Sequence, residues 1–213
     1  MCFSSTASFT ASGFLTVVGI ATLAKTKQKK TLLIMIVPLI FAFQQLIEGL
    51  LWLSLKNGSE YSLPLTYLFL FFALFFWPIY IPFVALLLEP QKIRRRIILF
   101  FCFGGILVGI LLFVSFLQKP EVVRVVNNCL FYANQSPYPF LLNYLYILFT
   151  IGSGAISSRP IIKIISLFGL TSALISWLIY SINFISVWCF FAAIMSVIIY
   201  FYPQKKLLKT KKG

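Results

Sequence analysis

The chain has no histidine, and its only acids are the glutamates Glu48, Glu60, Glu89 and Glu121, so aspartate is missing too. These absences exclude haem held by His, zinc sites with His ligands, Ser-His-Asp triads and His proton relays. The four cysteines, Cys2, Cys102, Cys129 and Cys189, form no CxxC pair. A thioredoxin-like motif or a zinc ribbon therefore has no support. Charge is scarce as well. Only 10% of the 213 residues are charged, against about 25% in a soluble domain. No lysine lies in the middle of an apolar run, Lys163 standing at the very start of one, so a retinal Schiff base has no attachment point.

Apolar surface is what the chain does have. It is 61% hydrophobic, where a soluble domain is about 45–50% apolar. Such a chain cannot cover its surface with polar groups in water, and lipid is the alternative solvent. Seven apolar runs lie at about 5–24, 31–55, 63–88, 97–117, 138–157, 161–182 and 187–202. Each is close to the roughly 20 residues a helix needs to cross a bilayer. The expected fold class is all-α: a polytopic membrane helix bundle of seven transmembrane helices, one domain over residues 1–213, with a basic tail at 203–213. No metal or cofactor is expected.

The net charge of +14 would suggest nucleic acid in a soluble protein. Here the basic residues sit between apolar runs, which points to cytoplasmic loops, a lipid bilayer with anionic head groups, and no nucleic acid. Lys25, Lys27, Lys29, Lys30, Lys92, Arg94, Arg95, Arg96, Arg159, Lys163 and the tail lysines fall on one side, and Lys56, Lys119 and Arg124 on the other. That bias predicts an outside N-terminus and a cytoplasmic C-terminus. The first run has its positive charges after it rather than before it, so it reads as an uncleaved helix, not a signal peptide. The longest outer loop, 118–137, contains VVRVV-NN-CLFY. It reads either as a short hairpin turning at Asn127-Asn128, a pair that tolerates positive φ, or as a plain linker.

Chemistry concentrates in the second run. Gln44, Glu48 and Trp52 recur every four residues and share one helix stripe, with Gln45 on its edge. Glu48 is the one acid well inside a run. A charged side chain at the bilayer centre costs about 2.5–3.5 kcal/mol on insertion scales, so Glu48 must face the bundle interior. The stripe reads as a proton, cation or polar-ligand site, or else as a polar clamp that fixes packing. In the third run, Pro78 and Pro82 each remove a helix donor and free a carbonyl one turn earlier. Those carbonyls either line a cavity or are relieved by neighbours. Gly105 and Gly109 form a small-residue face for another helix or for a second copy, a homo-oligomer. Cys2, Cys129 and Cys189 fall at one leaflet, where a disulfide can form if the outside is oxidising. Cys102 sits near the other leaflet as a free thiol.

Three stretches carry a resemblance that covers the whole chain: Met1-Cys2-Phe3-Ser4-Ser5-Thr6-Ala7-Ser8-Phe9, Gln44-Gln45-Leu46-Ile47-Glu48-Gly49-Leu50-Leu51-Trp52, and Ser186-Val187-Trp188-Cys189-Phe190-Phe191-Ala192-Ala193. Trp77-Pro78 through Glu89-Pro90 and the Arg94–Arg96 cluster add to them. Together they resemble a family of small bacterial and archaeal integral membrane proteins with no assigned function. The resemblance implies a bacterial cytoplasmic membrane and suggests that Cys2, the QQxxE stripe and Trp188-Cys189 belong to one site. Relatives often carry His in the outer loop; this chain has none, so a His-dependent activity does not carry over. The candidate ligand or ion site is Gln44, Gln45, Glu48, Trp52, Trp77 and Trp188. The functional expectation is a small transporter or channel for an unknown solute or ion. The alternatives are a non-catalytic sensor or assembly partner, and a membrane thiol enzyme using Cys2 or Cys189.

Overall fold

The structure is a computed structural model that describes residues 4–26, 29–118, 123–126, 128–132 and 139–202. Cys2 and the basic tail at 203–213 lie outside the described residues. Helix α1 (Ser5–Ala24) starts at Ser4, whose hydroxyl accepts the Ala7 N–H. A 3-10 turn and the short α2 (Leu32–Met35) lead into α3 (Val37–Lys56). The turn after α3 uses Gly58 at φ +61°, a conformation that costs glycine little. Then come α4 (Ser62–Leu70), a π-helical stretch at Phe71–Phe76, α5 (Trp77–Leu88) and α6 (Lys92–Leu117). A two-stranded hairpin, β1 (Arg124–Val126) and β2 (Cys129–Phe131), precedes α7 (Pro139–Ile156), α8 (Pro160–Tyr180), α9 (Phe184–Met195) and α10 (Ile198–Phe201).

Among the described residues, five helical segments are long and apolar enough to cross a membrane: Ser5–Ala24, Lys29–Lys56, Ser62–Leu88, Lys92–Leu117 and Pro160–Phe201. The last is broken by a 3-10 turn at Ser181–Asn183, and α8 and α9 pack against each other. Burial is inverted relative to a soluble protein. Gln44, Gln45, Glu48, Ser153, Ser157, Ser172, Ser176 and Ser186 are buried, while Phe100, Phe103, Leu107, Leu178 and Ile179 are exposed. Polar groups inside and apolar groups outside are what lipid requires. The molecule is built as a membrane-embedded helical bundle.

Small residues set the closest packing. α1 buries Ser8, Ser12, Leu15, Gly19 and Thr22 on one stripe against α3. Ser12 Oγ donates to the Ala42 carbonyl at 2.8 Å. A Cβ on Gly49 would come within 2.7 Å of the Phe9 ring. Gly105 and Gly109 take the first of their two expected roles, packing against this chain's own α5 side. Gly105 lies on the Pro78 carbonyl, and a Cβ on Gly109 would reach the Phe75 carbonyl at 3.3 Å.

The proline pair is relieved by neighbours rather than left open to a cavity. In the π stretch the Trp77 N–H donates to the Phe72 carbonyl, five residues back. The next bond in that pattern would run from residue 78 to Ala73, but Pro78 has no N–H. The Tyr146 hydroxyl from α7 takes its place, donating to the Ala73 carbonyl at 2.6 Å. The Pro78 carbonyl, which Pro82 cannot reach with a donor, is the one covered by Gly105.

Two run boundaries differ from the sequence reading. The fourth run begins as a helix at Lys92, so its basic cluster rides on the first helical turns instead of in a loop. The run expected at 187–202 starts earlier, at Phe184, and is interrupted at Ser196-Val197.

The loop near 118–137 forms the hairpin. Arg124 pairs with Phe131, Val125 with Leu130 and Val126 with Cys129. Asn128 supplies the positive φ, 56°. Leu130 and Tyr132 are buried in the same apolar cluster as Ile47, Leu51, Phe69 and Trp188. The hairpin therefore plugs one end of the bundle. Asn183 Nδ2 reinforces it by donating to the Val126 carbonyl at 3.3 Å.

Candidate functional site

The Glu48 stripe faces inward, as its cost in lipid demands. Glu48 is 2% exposed, and Gln44 and Gln45 are fully buried. Among the described residues, each carboxylate oxygen has one donor. Gln45 Nε2 reaches Oε2 at 3.2 Å, and Ser186 Oγ from α9 reaches Oε1 at 2.5 Å. Gln44 Oε1 accepts the Trp77 indole N–H from α5 at 2.7 Å. Trp77 stacks on Phe41, with ring centroids 4.0 Å apart. Three helices, α3, α5 and α9, thus meet through side-chain hydrogen bonds at one buried point.

The network is incomplete. Among the described residues, Gln45 Oε1 and the Tyr132 hydroxyl are buried without a hydrogen-bond partner, and the Gln44 amide has only the Cys189 thiol beside it. Tyr132 comes from the hairpin end and stacks on Phe69. Burial first, then the nearby Glu48 and Cys189, push its phenol well above the usual range, so it stays a donor.

The other expected site residues divide. Trp188 points its indole N–H away from Glu48, to the Gly169 carbonyl and Ser172 Oγ, both at 3.1 Å. Its ring packs edge-on against Tyr146. Trp52, one turn along from Glu48, joins the apolar core, but its indole N–H has no partner among the described residues. Cys189 is a buried free thiol, as is Cys102. Cys129 is disulfide-bonded, and neither of those two is its partner. Among the described residues, no group of three or more His, Cys, Asp or Glu could hold a metal ion.

A second carboxylate cluster was not read from the sequence. Glu89, in the turn between α5 and α6, is 4% exposed. Ser158 donates its N–H and hydroxyl to it at 2.6 and 2.7 Å, Ser157 its hydroxyl at 2.9 Å, and Gln91 its N–H at 3.2 Å. Burial raises this carboxyl, but the four hydrogen bonds outweigh it and hold Glu89 below the ordinary carboxylate value. Arg159 Nε donates to the Leu88 carbonyl at 2.7 Å and Arg94 Nη1 to the Ile156 carbonyl at 2.9 Å. The α5–α6 turn is thereby clasped to the α7–α8 turn. The signal was present: a Glu-Pro turn and a Ser-Ser-Arg-Pro turn are the two shortest connections at one end of the bundle. Ser186 was visible only as part of a motif; nothing local assigns it to a carboxylate 138 positions away.

No curated protein and no solved structure matches the chain. A family model matches residues 1–212, nearly the whole length, in keeping with the whole-chain resemblance seen in the motifs. The chain belongs to that family, a family of unknown function (DUF6629).

Proposed function

We propose that this protein is a small seven-pass carrier or channel of the bacterial cytoplasmic membrane, with its N-terminus outside and its basic tail in the cytoplasm against anionic head groups. Its centre is the Glu48 cluster. One observation carries this reading: beside the carboxylate lie buried polar atoms that lack partners among the described residues, namely Gln45 Oε1 and the Tyr132 hydroxyl. A polar network built only to hold helices together satisfies its own members, because each unpaired buried group costs about 1–3 kcal/mol. A spare donor and a spare acceptor beside a carboxylate suit a transient occupant, such as a proton carrier, a cation or a polar solute. The charge bias between the loops supports the orientation, and the reversal at Ser181–Asn183 supports counting α8 and α9 as separate passes.

A second reading, a sensor or assembly partner without turnover, is favoured by the hydrogen bond on each Glu48 oxygen and by the hairpin seal. Complementation separates the two. In a strain lacking the protein, the wild-type gene should restore growth across the pH range. Glu48→Gln should not, although it reaches the membrane at the wild-type level. Full complementation by Glu48→Gln at every pH would replace the carrier with the sensor or partner role.

A further inference from the structure

The two glutamines beside Glu48 are held in different ways. Gln44 is held at both ends of its amide: Oε1 accepts the Trp77 indole N–H at 2.7 Å, and Nε2 has the Cys189 thiol beside it. Gln45 is held at one end. Its Nε2 donates to Glu48 Oε2 at 3.2 Å, while its Oε1 is buried without a partner among the described residues. A glutamine amide has donors on one side and an acceptor on the other, and the torsion that exchanges them is soft. Turning the Gln45 amide over puts Oε1 where Nε2 now stands, against Glu48 Oε2.

The two protonation states of a carboxyl need opposite neighbours. An ionised carboxylate only accepts, so both oxygens want donors. A neutral acid keeps an acceptor oxygen and gains an O–H that wants an acceptor. As they stand, Gln45 Nε2 and Ser186 Oγ serve the ionised form, one donor on each oxygen. With the amide turned, the same two side chains serve the acid: Oε2–H donates to Gln45 Oε1, and Glu48 Oε1 keeps the Ser186 O–H. Gln45 and Glu48 stand three residues apart on one helix, so the amide stays within reach in both states. A packing clamp needs a seat for one state, and this cluster has a seat for each.

Little besides a proton can enter there. Glu48, Gln44, Gln45 and Ser186 are each 2% exposed or less. The cavity walled by Trp77, Tyr146 and Trp188, and a smaller one walled by Leu112, Tyr146 and Phe184, are lined by neither Glu48 nor the glutamines. A hard cation such as calcium takes about six or more oxygen ligands and would have to part contacts of 2.5 and 3.2 Å. The other titratable groups that face Glu48 are the Tyr132 phenol from the hairpin and the Cys189 thiol from α9. Both are neutral when protonated and, as free side chains, titrate far above a carboxylate. α1 carries no titratable residue, and Tyr80 of α5 turns to the Leu33 carbonyl. Among the described residues, no lysine or arginine pairs with Glu48.

We infer that Glu48 takes up and releases a proton, and that Gln45 is the positioning residue that turns its amide over to hold both states. Uptake forms the Oε2–H bond with a proton from water and cancels the carboxylate charge. Release reverses it, and no other covalent bond is made or broken. This deepens the carrier reading by naming the proton as its coupling ion, and it rests on that reading for the transport role alone.

Infrared spectroscopy tests both halves. The full chain, reconstituted in phospholipid vesicles, is titrated from alkali to acid within its folded range. Difference spectra are taken with carbon-13 in the side-chain carbonyl of glutamate or of glutamine. A carboxylic C=O band should appear on acidification, move with the glutamate label and be missing from Glu48→Gln, where the other three glutamates remain as a reference. A glutamine side-chain carbonyl band should shift in step with it in the wild type, a measurement that needs no variant. Gln45→Met keeps the length and removes both donor and acceptor. It should abolish the glutamine shift and move the Glu48 C=O band to higher frequency, the mark of an acid whose O–H has no acceptor.

A Glu48 that keeps one protonation state through the whole titration overturns the inference, as does a glutamine carbonyl band that stays in place while Glu48 titrates. Titration of Glu48 with full complementation by Glu48→Gln removes the carrier and leaves the proton site. No titration, with complementation by Glu48→Gln still failing, removes the proton site and leaves a carrier with another occupant.

Discussion

Two carboxylates lie buried in this bundle and are treated in opposite ways. Glu89, in a turn at the end of two helices, collects four donors within 3.2 Å, two of them backbone N–H groups. Glu48, in the middle of α3, collects two side-chain donors among the described residues and lies beside buried polar atoms that have no partner among them. Helix ends have unspent N–H groups to offer; the middle of a helix has none, because its backbone is already bonded. A carboxylate at a turn can therefore be satisfied cheaply and becomes a fastening. One in mid-helix depends on side chains arriving from elsewhere, and incomplete satisfaction there is a sign of use. On this contrast, the turn carboxylate should govern stability and the mid-helix one activity.

The sharpest attempt to break the contrast is Glu89→Leu. It strands four donors at about 1 kcal/mol or more each, and the two turns lose their clasp. We expect a loss of roughly 4 kcal/mol, seen as a large fall in the thermal midpoint by circular dichroism in detergent. A fall no greater than that of Glu48→Leu would erase the distinction.

Glu48→Leu comes next. It strands the Gln45 amide and the Ser186 hydroxyl, at about 1–3 kcal/mol per group, but places an apolar side chain in an apolar surrounding. The net loss should be about 2 kcal/mol by the same measurement.

The third test uses acid. The folded carboxyl of Glu89 lies below its ordinary value of 4.5. Its contribution is therefore present in full above that value and is lost as pH falls through the lower, folded one. The thermal midpoint of the wild type should drop as pH is taken from about 6 towards 3. Glu89→Gln, already weakened at neutral pH, should lose that part of the slope. Parallel curves for the two proteins would contradict the clasp.

Smallest of all is the effect of Glu48→Gln on stability. Gln keeps the shape and an acceptor for Ser186, so the thermal midpoint should move by less than about 0.5 kcal/mol in equivalent stability, even as complementation fails. A large destabilisation would return Glu48 to the role of a clamp.

Much of this was legible along the chain wherever the information is local. The Gln44–Glu48 stripe follows from helical spacing, and the inward aim of Glu48 follows from its cost in lipid. The hairpin follows from alternation around an Asn-Asn pair. The Pro78–Pro82 pair announced freed carbonyls. Their relief by Tyr146 and Gly105 was not legible, because it depends on two other helices meeting α5. For the same reason the partnership of Ser186 with Glu48 and the Ser157–Ser158 seat for Glu89 appear only in three dimensions. Trp52 shows the converse. It has the right spacing to join the site, but its indole N–H takes no part in the network.

The position of the hairpin also fixes an order of events. Leu130 and Tyr132 settle among Ile47, Leu51 and Phe69, which are synthesised before them, and Trp188 and Cys189, which are synthesised after. β2 also rests on α9. During N-to-C synthesis the hairpin emerges with half of its seat missing and must wait for three more helices, α7, α8 and α9. Glu48 waits as long, because Ser186 opens the same late helix. The chain's first acid and its end plug are thus completed in one late step. A chain stopped after α8 would carry an uncovered carboxylate and an unseated hairpin, two defects that α9 corrects together.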